Sequence, residues 1–463
     1  MERLDHPAIR RFLEKRVPGA GAIPTANRIR QWYLPTLQEA HDAELYKILS
    51  QADGIILTVD ESSDNVTERS VLNLVMTPIV ADKASTKVVS YLGDQIYLDK
   101  IDHKVVAAEV MRVINKFDVK HSRVLAYITD NVAYMTKSFT LFSAFFENCV
   151  LVTCTAHLFH LLIDRLPMYA TEVHKFITKW QAYFKNSVPR RKRFADFIAG
   201  KSLSTAKCPK PCTTRWTPWL RAVLWHEERN RFVSEFLDSE HDLSDSVKSR
   251  ELQDLVADGT VERDLQYLAT VIPTLIAAIE AQETNSVTSH HLVQNIADLK
   301  AFIVTEKKSR SHSEWKAMWT EILDKFQQYF EWDGSAPTHC QKGLKFFQRT
   351  RLLDPKQAEE LNPTISEIQL MPLLRAVPVH QIQSYIDEFG SVTPPSTLGY
   401  WQTRLQRWPE LAKAAIMTLS IPTHSSEVER SFSSYTRIVM KLRISMSDST
   451  LRTCNMLHYN CIM

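Results

Sequence analysis

The stretch GIILTVD at residues 54–60 is an apolar run that ends in a carboxylate, and VLAYITD at residues 124–130 repeats that arrangement. Apolar runs of this length are typical of strands that are buried on both faces of a sheet. We therefore predict two buried strands, the first ending at Asp60 and the second at Asp130.

The segments around these two runs predict the rest of an α/β layer. Two more strand candidates, VLNLVMTPIV (71–80) and TKVVSYLGDQIY (86–97), follow the first run as a meander, and NCVLVTC (148–154) follows the second. Apolar residues at helical spacing from Val106 to Phe117 predict a helix that connects the meander to the second run. Strands followed by helix–strand alternation indicate an α/β fold with a mixed sheet and flanking helices.

The remainder of the chain is predicted to be helical. The segment TAHLFHLLIDRL (155–166) is predicted to form a helix that packs on the sheet. From about residue 170 to residue 390 the apolar residues recur periodically with almost no strand pattern, and the proline pair at 394–395 marks a boundary. We divide the chain into a helical lead-in at 1–50, the first part of an α/β core at 51–185, an all-helical insertion at 186–395, and the last part of the core at 396–463.

The composition indicates a folded protein without a membrane span. The chain has 463 residues, of which 44% are hydrophobic, and this is enough to bury a large core. No apolar run approaches the roughly 20 residues needed to cross a bilayer. The seven cysteines are odd in number and unevenly spread, which predicts a reducing compartment. The ten glycines argue against a glycine-rich phosphate loop.

Asp60 and Asp130 are candidates for a metal site. In a right-handed strand–helix–strand crossover the two strands run parallel, so their carboxyl ends share one edge of the sheet. Neighbouring carboxylates repel unless a cation neutralises them, and such hard oxygen ligands favour Mg²⁺ or Mn²⁺. Pairs of these ions catalyse phosphodiester chemistry, usually with a third carboxylate. The alternative stays open that each aspartate only closes a turn or caps a helix.

The segment SSEVERSFS (425–433) offers Glu429 as the third carboxylate. Glu427 and Glu429 lie about 100° to either side of the apolar helix face that contains Val428. The pair Ser426 and Glu429 also fits the spacing of a capping box, which needs no metal. Spacing alone therefore does not choose between the two glutamates, or between a metal ligand and a cap.

A cluster of positive charge lies in PRRKR (189–193) and consists of Arg190, Arg191, Lys192 and Arg193. Such a cluster is a solvated helix face, a nuclear import signal or a patch that contacts phosphates. If the protein has a DNA partner, the last two interpretations together carry as much weight as the first.

The residues Cys154, His157 and His160 follow one another at spacings of three. This spacing puts them on one helix, and no second pair of ligands lies at zinc-finger spacing from them. We therefore predict a structural role near the active site for Cys154 and His157. Cys208 and Cys212 suggest a zinc site even less, because they also lack a second ligand pair.

Five segments resemble the hAT superfamily of DNA transposases, and they occur in the family's order. They are LTVDESSDN (57–65), ITDNVAYM (128–135), CTAHLFHLL (154–162), TRWTPW (214–219) and LGYWQTRLQRWPELAKAAIMTLSIPTHSSEVERSFS (398–433). The last segment is similar to the family's C-terminal dimerisation region in its Trp, Trp-Pro-Glu-Leu-Ala, Ile-Pro and Glu-Arg-x-Phe-Ser elements.

This resemblance implies a ribonuclease H-like core, a mixed sheet with flanking helices that is interrupted by a large all-helical insertion. It implies an acidic triad of Asp60, Asp130 and Glu429 that holds two Mg²⁺ or Mn²⁺ ions, and it selects Glu429 over Glu427. It further implies DNA as a partner, a homodimer or higher oligomer, and a location in the nucleus.

The resemblance also implies roles for residues outside the triad. Trp216 would stack on a base extruded near the transposon end, with Arg215 contacting DNA beside it, and an aromatic ring can offset the cost of unstacking a base. The alternative is that Trp216 belongs to the core of the insertion. Trp401 and Phe432 would serve dimerisation, and Arg430 would have a structural role near the site.

The opening segment DHPAIRRFLEKRVPGAGAIPTANRIRQWYLP (5–35) resembles the region that follows the zinc finger in CGG triplet repeat-binding protein. Members of the hAT superfamily usually carry an N-terminal BED-type zinc finger, and no such cysteine and histidine pattern precedes this segment. The resemblance and the three carboxylates imply a transposase or transposase-derived protein that cleaves and joins DNA, whereas the missing finger favours an alternative. The alternative is a domesticated, catalytically silent dimer that binds DNA or chromatin.

Overall fold

The structure is a computed structural model of the chain, and it describes residues 2–17, 22–64, 69–83, 89–210, 217–241, 247–283, 289–309, 314–332, 334, 337–389, 396–439 and 446–461. The chain forms two compact units. The sheet unit comprises Met1–Thr155, Thr284–Val293 and Gly334–Met463, and the helical unit comprises Ala156–Glu283 and Gln294–Asp333. The division into four regions drawn from the sequence stays a prediction.

The strands of the sheet unit are β1 (Gly54–Asp64), β2 (Arg69–Ile79), β3 (Tyr91–Leu98), β4 (Val124–Thr129) and β5 (Val150–Thr153). Within the described residues they form one five-stranded sheet in the order β3-β2-β1-β4-β5. β2 pairs antiparallel with both β1 and β3, whereas β4 pairs parallel with both β1 and β5. The predicted α/β class, the meander and the parallel pairing of the two apolar runs are confirmed.

One face of the sheet is covered by helices from the first part of the chain. The helices of this part of the chain are α1 (Pro7–Arg16), α2 (Ala26–Arg28), α3 (Leu34–Gln51), α4 (His103–Lys116) and α5 (Ala133–Phe142). Of these, α3, α4 and α5 contribute residues to the apolar cluster on this face of the sheet. The connecting helix predicted from the apolar spacing is α4, and Asp102 caps it by accepting two backbone N–H groups of the first turn. The fully buried Val106 and Val110 of α4 lie in one apolar cluster with Leu57 of β1. Burial of this apolar stripe, rather than helix propensity, stabilises α4.

The helices of the helical unit, two of which begin just outside it, are α6 (Thr155–Ile163), α7 (Leu166–Tyr169), α8 (Thr171–Phe184), α9 (Val188–Gly200), α10 (Thr217–Arg229), α11 (Val233–His241), α12 (Val247–Ala257), α13 (Thr260–Gln282), α14 (Leu292–Ser309) and α15 (Glu314–Phe330). The helix predicted after the third strand run is α6. Its buried Phe159 and Leu162 lie in the core of the helical unit, whereas the sequence pattern predicted that this helix packs on the sheet.

The last helices return to the sheet unit. They are α16 (His339–Thr350), α17 (Pro355–Leu361), α18 (Ile365–Ile368), α19 (Val379–Asp387), α20 (Thr397–Gln402), α21 (Pro409–Leu419), α22 (Ser426–Ile438) and α23 (Asp448–Asn460). Val428 and Phe432 of α22 pack against Val71 and Val75 of β2, on the sheet face opposite to α4. This second layer covers the face on which the candidate site lies.

In the part of the chain that the structure describes, no helix is both long and apolar enough to span a membrane. Free thiols are found at Cys149, Cys154, Cys208, Cys340, Cys454 and Cys461.

Candidate active site

Asp60 lies inside a strand rather than at its end. The sequence predicted that the first strand ends at Asp60, but β1 continues to Asp64 because β2 runs alongside it, and Asp60 pairs with Asn73 in that ladder. Paired residues of antiparallel strands have side chains on the same face of the sheet. The Asp60 residue is only 9% exposed, so its carboxylate is largely withdrawn from water.

Asp130 is the first residue after β4, as the sequence predicted. β1 and β4 are parallel neighbours with Thr58 opposite Ile128, and continuing that register for two residues brings Asp60 beside Asp130 on the same face. One Asp130 carboxylate oxygen also accepts the backbone N–H of Val132 at 3.2 Å, which closes the turn into α5. Asp130 therefore does fill the turn role that was the open alternative, and it also lies at the sheet edge beside a second carboxylate.

Tyr134 in α5 lies close to both aspartates. Burial and its hydrogen bond to Glu61, together with the charges of Asp130 and Asp60, raise the pKa of Tyr134 well above its usual range. Its hydroxyl donates to Glu61 Oε2 at 2.6 Å. Tyr134 therefore stays protonated at neutral pH and orients Glu61 rather than exchanging protons. Sequence reasoning did not single out Tyr134 or Glu61, although each lies within a segment that resembles the hAT superfamily.

The N-terminal end of α22 is attached to the carboxyl end of β5. Ser425, just before the helix, donates its backbone N–H to Cys154 Sγ at 3.3 Å. Thr155 donates its backbone N–H and its hydroxyl to the Thr423 carbonyl oxygen at 2.9 and 2.8 Å. Cys154 in turn donates its backbone N–H to the Thr129 carbonyl of β4 at 2.8 Å. The buried Cys154 thiol thus connects β5 to α22, and its predicted structural role beside an active site stays a prediction.

Further along, α22 is attached to β2. Asn73 Nδ2 donates to the Ser431 hydroxyl oxygen at 2.7 Å, and both residues are fully buried. In the sheet, β4 and β1 lie between β5 and β2, so the segment from Ser425 to Ser431 crosses from the carboxyl end of β5 to β2. Helix α22 packs against β1 and β2. Glu429 is on this crossing segment, between Ser425 and Ser431. Asn73 could have been found in the sequence as the one amide within an otherwise apolar strand pattern.

The structure distinguishes the two glutamates that spacing left equal. Glu427 accepts a hydrogen bond from the Tyr459 hydroxyl at 3.0 Å and forms an ion pair with Arg430. The side chain of Glu429 makes no hydrogen bond or ion pair with any residue that the structure describes. Glu427 is therefore occupied within the fold, whereas Glu429 is available for a ligand.

The capping-box alternative for Glu429 is wrong. The helix begins at Ser426, and the Ser426 hydroxyl and backbone N–H contact His424 Nδ1 at 2.8 and 3.2 Å instead of pairing with Glu429. The residue before the helix, Ser425, makes no side-chain capping hydrogen bond. A glutamate that caps nothing in the first turn still benefits from the positive end of the helix dipole.

The carboxylates suit a hard divalent cation by their chemistry. Among the residues that the structure describes, no group of three or more His, Cys, Asp or Glu side chains is arranged so that it could hold a metal ion. Mg²⁺ is commonly held by one or two carboxylates together with waters and substrate phosphates, and the pair Asp60 and Asp130 fits that requirement. Glu429 is the candidate for a third ligand.

The two histidines of the Cys-x-x-His-x-x-His pattern lie on α6. Burial and the neighbouring His157 lower the pKa of His160 to about 2, so His160 is neutral at physiological pH. The rings of His157 and His160 are 6.2 Å apart and nearly perpendicular. Arg430, which the resemblance linked to the site, forms an ion pair with Glu427.

Two of the four charges in the basic segment are used inside the fold. Glu240 is almost completely buried, and it accepts from Arg193 Nη2 at 2.7 Å and lies 3.5 Å from Arg190 Nε. These contacts explain the two arginines without DNA. Arg191 and Lys192 are exposed and keep their charges at the surface. The predicted role of all four residues in binding DNA stays a prediction.

Arg215 and Trp216, predicted to contact DNA, lie outside the described residues, and so does Cys212. Their roles stay predictions. Helix α10 begins immediately after them, at Thr217.

Trp401 and Phe432, which the resemblance assigned to dimerisation, are core residues of the chain itself. Trp401 is completely buried, donates its indole N–H to the Leu353 carbonyl at 2.7 Å, and packs against Tyr385 with ring centroids 4.8 Å apart. Phe432 is buried against β2. Trp401 has no exposed surface and Phe432 is only 8% exposed, so we expect both to support a dimer by stabilising the fold, and their predicted role in dimerisation stays a prediction.

Two family models match the ends of the chain. The model of the hAT family C-terminal dimerisation region matches residues 381–461, from α19 to α23, and the model of the CGGBP1 helical domain matches residues 1–36. The first match suggests that the protein self-associates. No curated protein matches the chain significantly. Over these two segments the chain is similar to the CGGBP1 helical domain and to the C-terminal dimerisation region of the hAT family.

Proposed function

We propose that this protein is an hAT-type transposase, or a protein derived from one, that cleaves and joins DNA with Asp60, Asp130 and Glu429. The observation that carries the proposal is the path of α22. Ser425 is attached to Cys154, just after β5, and Ser431 is attached to Asn73 on β2, so Glu429 lies on the segment between these two attachments.

The strand order supports a ribonuclease H-like core. Three antiparallel strands followed by two parallel strands, in the order β3-β2-β1-β4-β5, form the mixed sheet that the family resemblance implies. The first acidic residue is on the central strand of this sheet and the second is just after the neighbouring strand, at the edge where α/β proteins bind ligands.

Each carboxylate has a distinct duty in the proposed site. Asp60 and Asp130 would hold the divalent ions, because the sheet fixes the separation of the two carboxylates. Glu429 of α22 would be the third metal ligand, since its side chain has no partner among the described residues. When bound, a pair of Mg²⁺ or Mn²⁺ ions activates the attacking oxygen and stabilises the leaving oxygen.

The proposal extends to partners. A transposase acts on DNA and joins two ends, which requires at least two copies of the chain, in agreement with the dimerisation match. Arg215 and Trp216 would contact the DNA near the cut, and the exposed Arg191 and Lys192 would add contacts to phosphates. DNA as the substrate implies a location in the nucleus.

The test is a cleavage and strand-transfer assay with Mg²⁺ or Mn²⁺, on duplexes that carry the sequences flanking the gene and on unrelated duplexes. The wild type is compared with Asp130→Asn, Glu429→Gln and the matched control Glu427→Gln. We expect the first two variants to lose at least a hundredfold in rate and the control to retain most of it, because only the former remove proposed metal ligands.

Equal cleavage by wild type and Asp130→Asn would overturn the proposed chemistry. If no form of the protein cleaves any duplex and all bind DNA equally, the domesticated and catalytically silent alternative replaces the transposase.

A further inference from the structure

A cavity of about 760 Å³ lies within the helical unit, between α8, α9, α10 and the segment 204–210. All of its described lining residues belong to this unit, and they are remote in sequence from the three proposed metal ligands. A cavity of this size is in the range that holds a small-molecule ligand.

The walls of the cavity are aromatic. Trp180, Phe184, Phe194 and Trp225 all line it. Trp180 is buried behind the others, and its ring centroid is 4.9 Å from that of Phe184 and 5.1 Å from that of Phe194. The rings of Phe184, Phe194 and Trp225 are only half-buried, so part of each ring surface is open to the cavity. Flat apolar surfaces of this kind bind planar ligands by stacking.

The rim of the cavity is positively charged. Lys185, Arg191, Lys207 and Lys210 line it and are exposed, and the described lining residues include no aspartate or glutamate. Cations that surround an apolar cavity without a compensating acid favour a ligand that carries negative charge.

Arg229 adds a buried charge to the wall. It is 2% exposed, and its guanidinium group lies over the Trp225 ring, 4.4 Å from the ring centroid. Arg229 Nη2 donates a hydrogen bond to the Ser204 carbonyl at 2.6 Å, and Nη1 donates to Glu228 at 2.5 Å. Its buried Nε has no hydrogen-bond partner among the described residues. A buried donor without a partner costs free energy, which a ligand acceptor would recover.

We propose that this cavity binds a nucleotide, with the base against the rings of Phe184, Phe194 and Trp225 and the phosphate at the cationic rim. A nucleotide is the common biological ligand that combines a planar aromatic group with a nearby negative charge. It comes either as a free mononucleotide or as one unit of a single-stranded nucleic acid. The site does not depend on the proposed nuclease chemistry, because none of its residues is near the carboxylates in the sequence or belongs to the sheet unit.

Binding is measured with the full chain by isothermal titration calorimetry, with adenosine 5′-monophosphate, adenosine, ribose 5-phosphate and a short single-stranded oligodeoxyadenylate as probes. The test variant is the double charge reversal Lys207→Glu and Lys210→Glu. The matched control is Lys308→Glu, which reverses an exposed lysine of the same unit that does not line the cavity.

We expect adenosine 5′-monophosphate to bind more tightly than either of its fragments, and the double reversal to weaken it about tenfold. The control should bind as the wild type does, and near-ultraviolet circular dichroism should show that both variants are folded. Binding of the oligonucleotide alone, with the same loss in the double variant, would support a site for a nucleotide within a chain. Binding of the mononucleotide as well would support a free-nucleotide site.

Two results would overturn the proposal. One is that neither the mononucleotide nor the oligonucleotide binds the wild type. The other is that the double charge reversal leaves their affinities unchanged while both proteins are folded.

Discussion

Asn73 and Ser431 are joined by a buried hydrogen bond of 2.7 Å, although 358 positions separate them in the chain. Asn73 faces Asp60 across the ladder between β1 and β2, and Ser431 is two residues after Glu429 on α22. The same hydrogen bond therefore connects the neighbourhood of the first aspartate to the helix that carries the glutamate. Asn455 of α23 reinforces the junction by donating to the Ser431 carbonyl at 3.3 Å.

Replacing Asn73 with alanine should destabilise the protein and displace α22. The substitution removes a buried donor and leaves Ser431 without it, at a cost of about 1–3 kcal/mol in the free energy of unfolding. Urea unfolding of Asn73→Ala, Ser431→Ala and the double variant measures the coupling. We expect a coupling free energy of about 1 kcal/mol, because both single variants break the same bond. Additive losses would mean that the two side chains do not interact in solution.

Replacing Glu429 and Glu427 with glutamine should separate catalysis from stability. Glu429→Gln should change the free energy of unfolding by less than about 0.5 kcal/mol, because its carboxylate has no partner among the described residues. Glu427→Gln weakens the ion pair with Arg430 and the hydrogen bond from Tyr459, and it should cost about 1 kcal/mol. Chemical denaturation checks both values, and the opposite ranking would indicate that Glu427 is the available carboxylate.

The strands and the connecting helix could be predicted because their signals are local. The run GIILTVD needs no knowledge of distant residues to predict a buried strand, and the spacing of Val106 and Val110 is sufficient to predict the face of α4. The end of β1 could not be predicted in the same way. Asp60 stays inside the strand because β2 pairs with it, and this pairing depends on residues that lie outside the local sequence pattern of β1.

The candidate site shows the same limit. Glu427 and Glu429 are equivalent on a helical wheel, and besides the local ion pair with Arg430 the difference between them comes from Tyr459, a residue that folding brings from the next helix. Trp401 matches a dimerisation motif, but only the packing against Tyr385 and the bond to Leu353 reveal it as core. The spacing of residues along the sequence does not show which side chains from distant elements will contact a given residue.

Replacing Glu240 with glutamine should destabilise the helical unit. Its buried carboxylate neutralises Arg190 and Arg193, and glutamine would leave two cations beside an uncharged amide. We expect a loss of about 3 kcal/mol at neutral pH, in the range for breaking a buried pair. The surface variant Glu172→Gln, which removes an exposed ion pair with Lys175, should cost less than about 1 kcal/mol and serves as the control.

The effect of Glu240→Gln should disappear in acid. The hydrogen bond from Arg193, with the charges of Arg193 and Arg190, lowers the pKa of Glu240 below its ordinary value of 4.5. A carboxyl group with a lowered pKa contributes its full stability above the unfolded-state pKa and loses it as the pH falls through the folded-state pKa. Urea unfolding from pH 7 down to pH 3 should therefore show the wild type approaching the variant once the pH is below about 4.5. A constant difference across that range would show that the lost stability does not come from the charge.

Replacing Trp401 tests whether this residue acts in the fold or at a dimer surface. Trp401→Phe keeps a buried ring but leaves the Leu353 carbonyl without its donor, so the free energy of unfolding should fall by about 1–3 kcal/mol. Because Trp401 has no exposed surface, the folded variant should self-associate as the wild type does in sedimentation velocity below its unfolding transition. A variant that unfolds at the wild-type urea concentration but fails to self-associate would indicate that Trp401 contacts the second copy of the chain directly. Coincident loss of folding and association would instead support the indirect role, since the dimerisation region must be folded before it can pair.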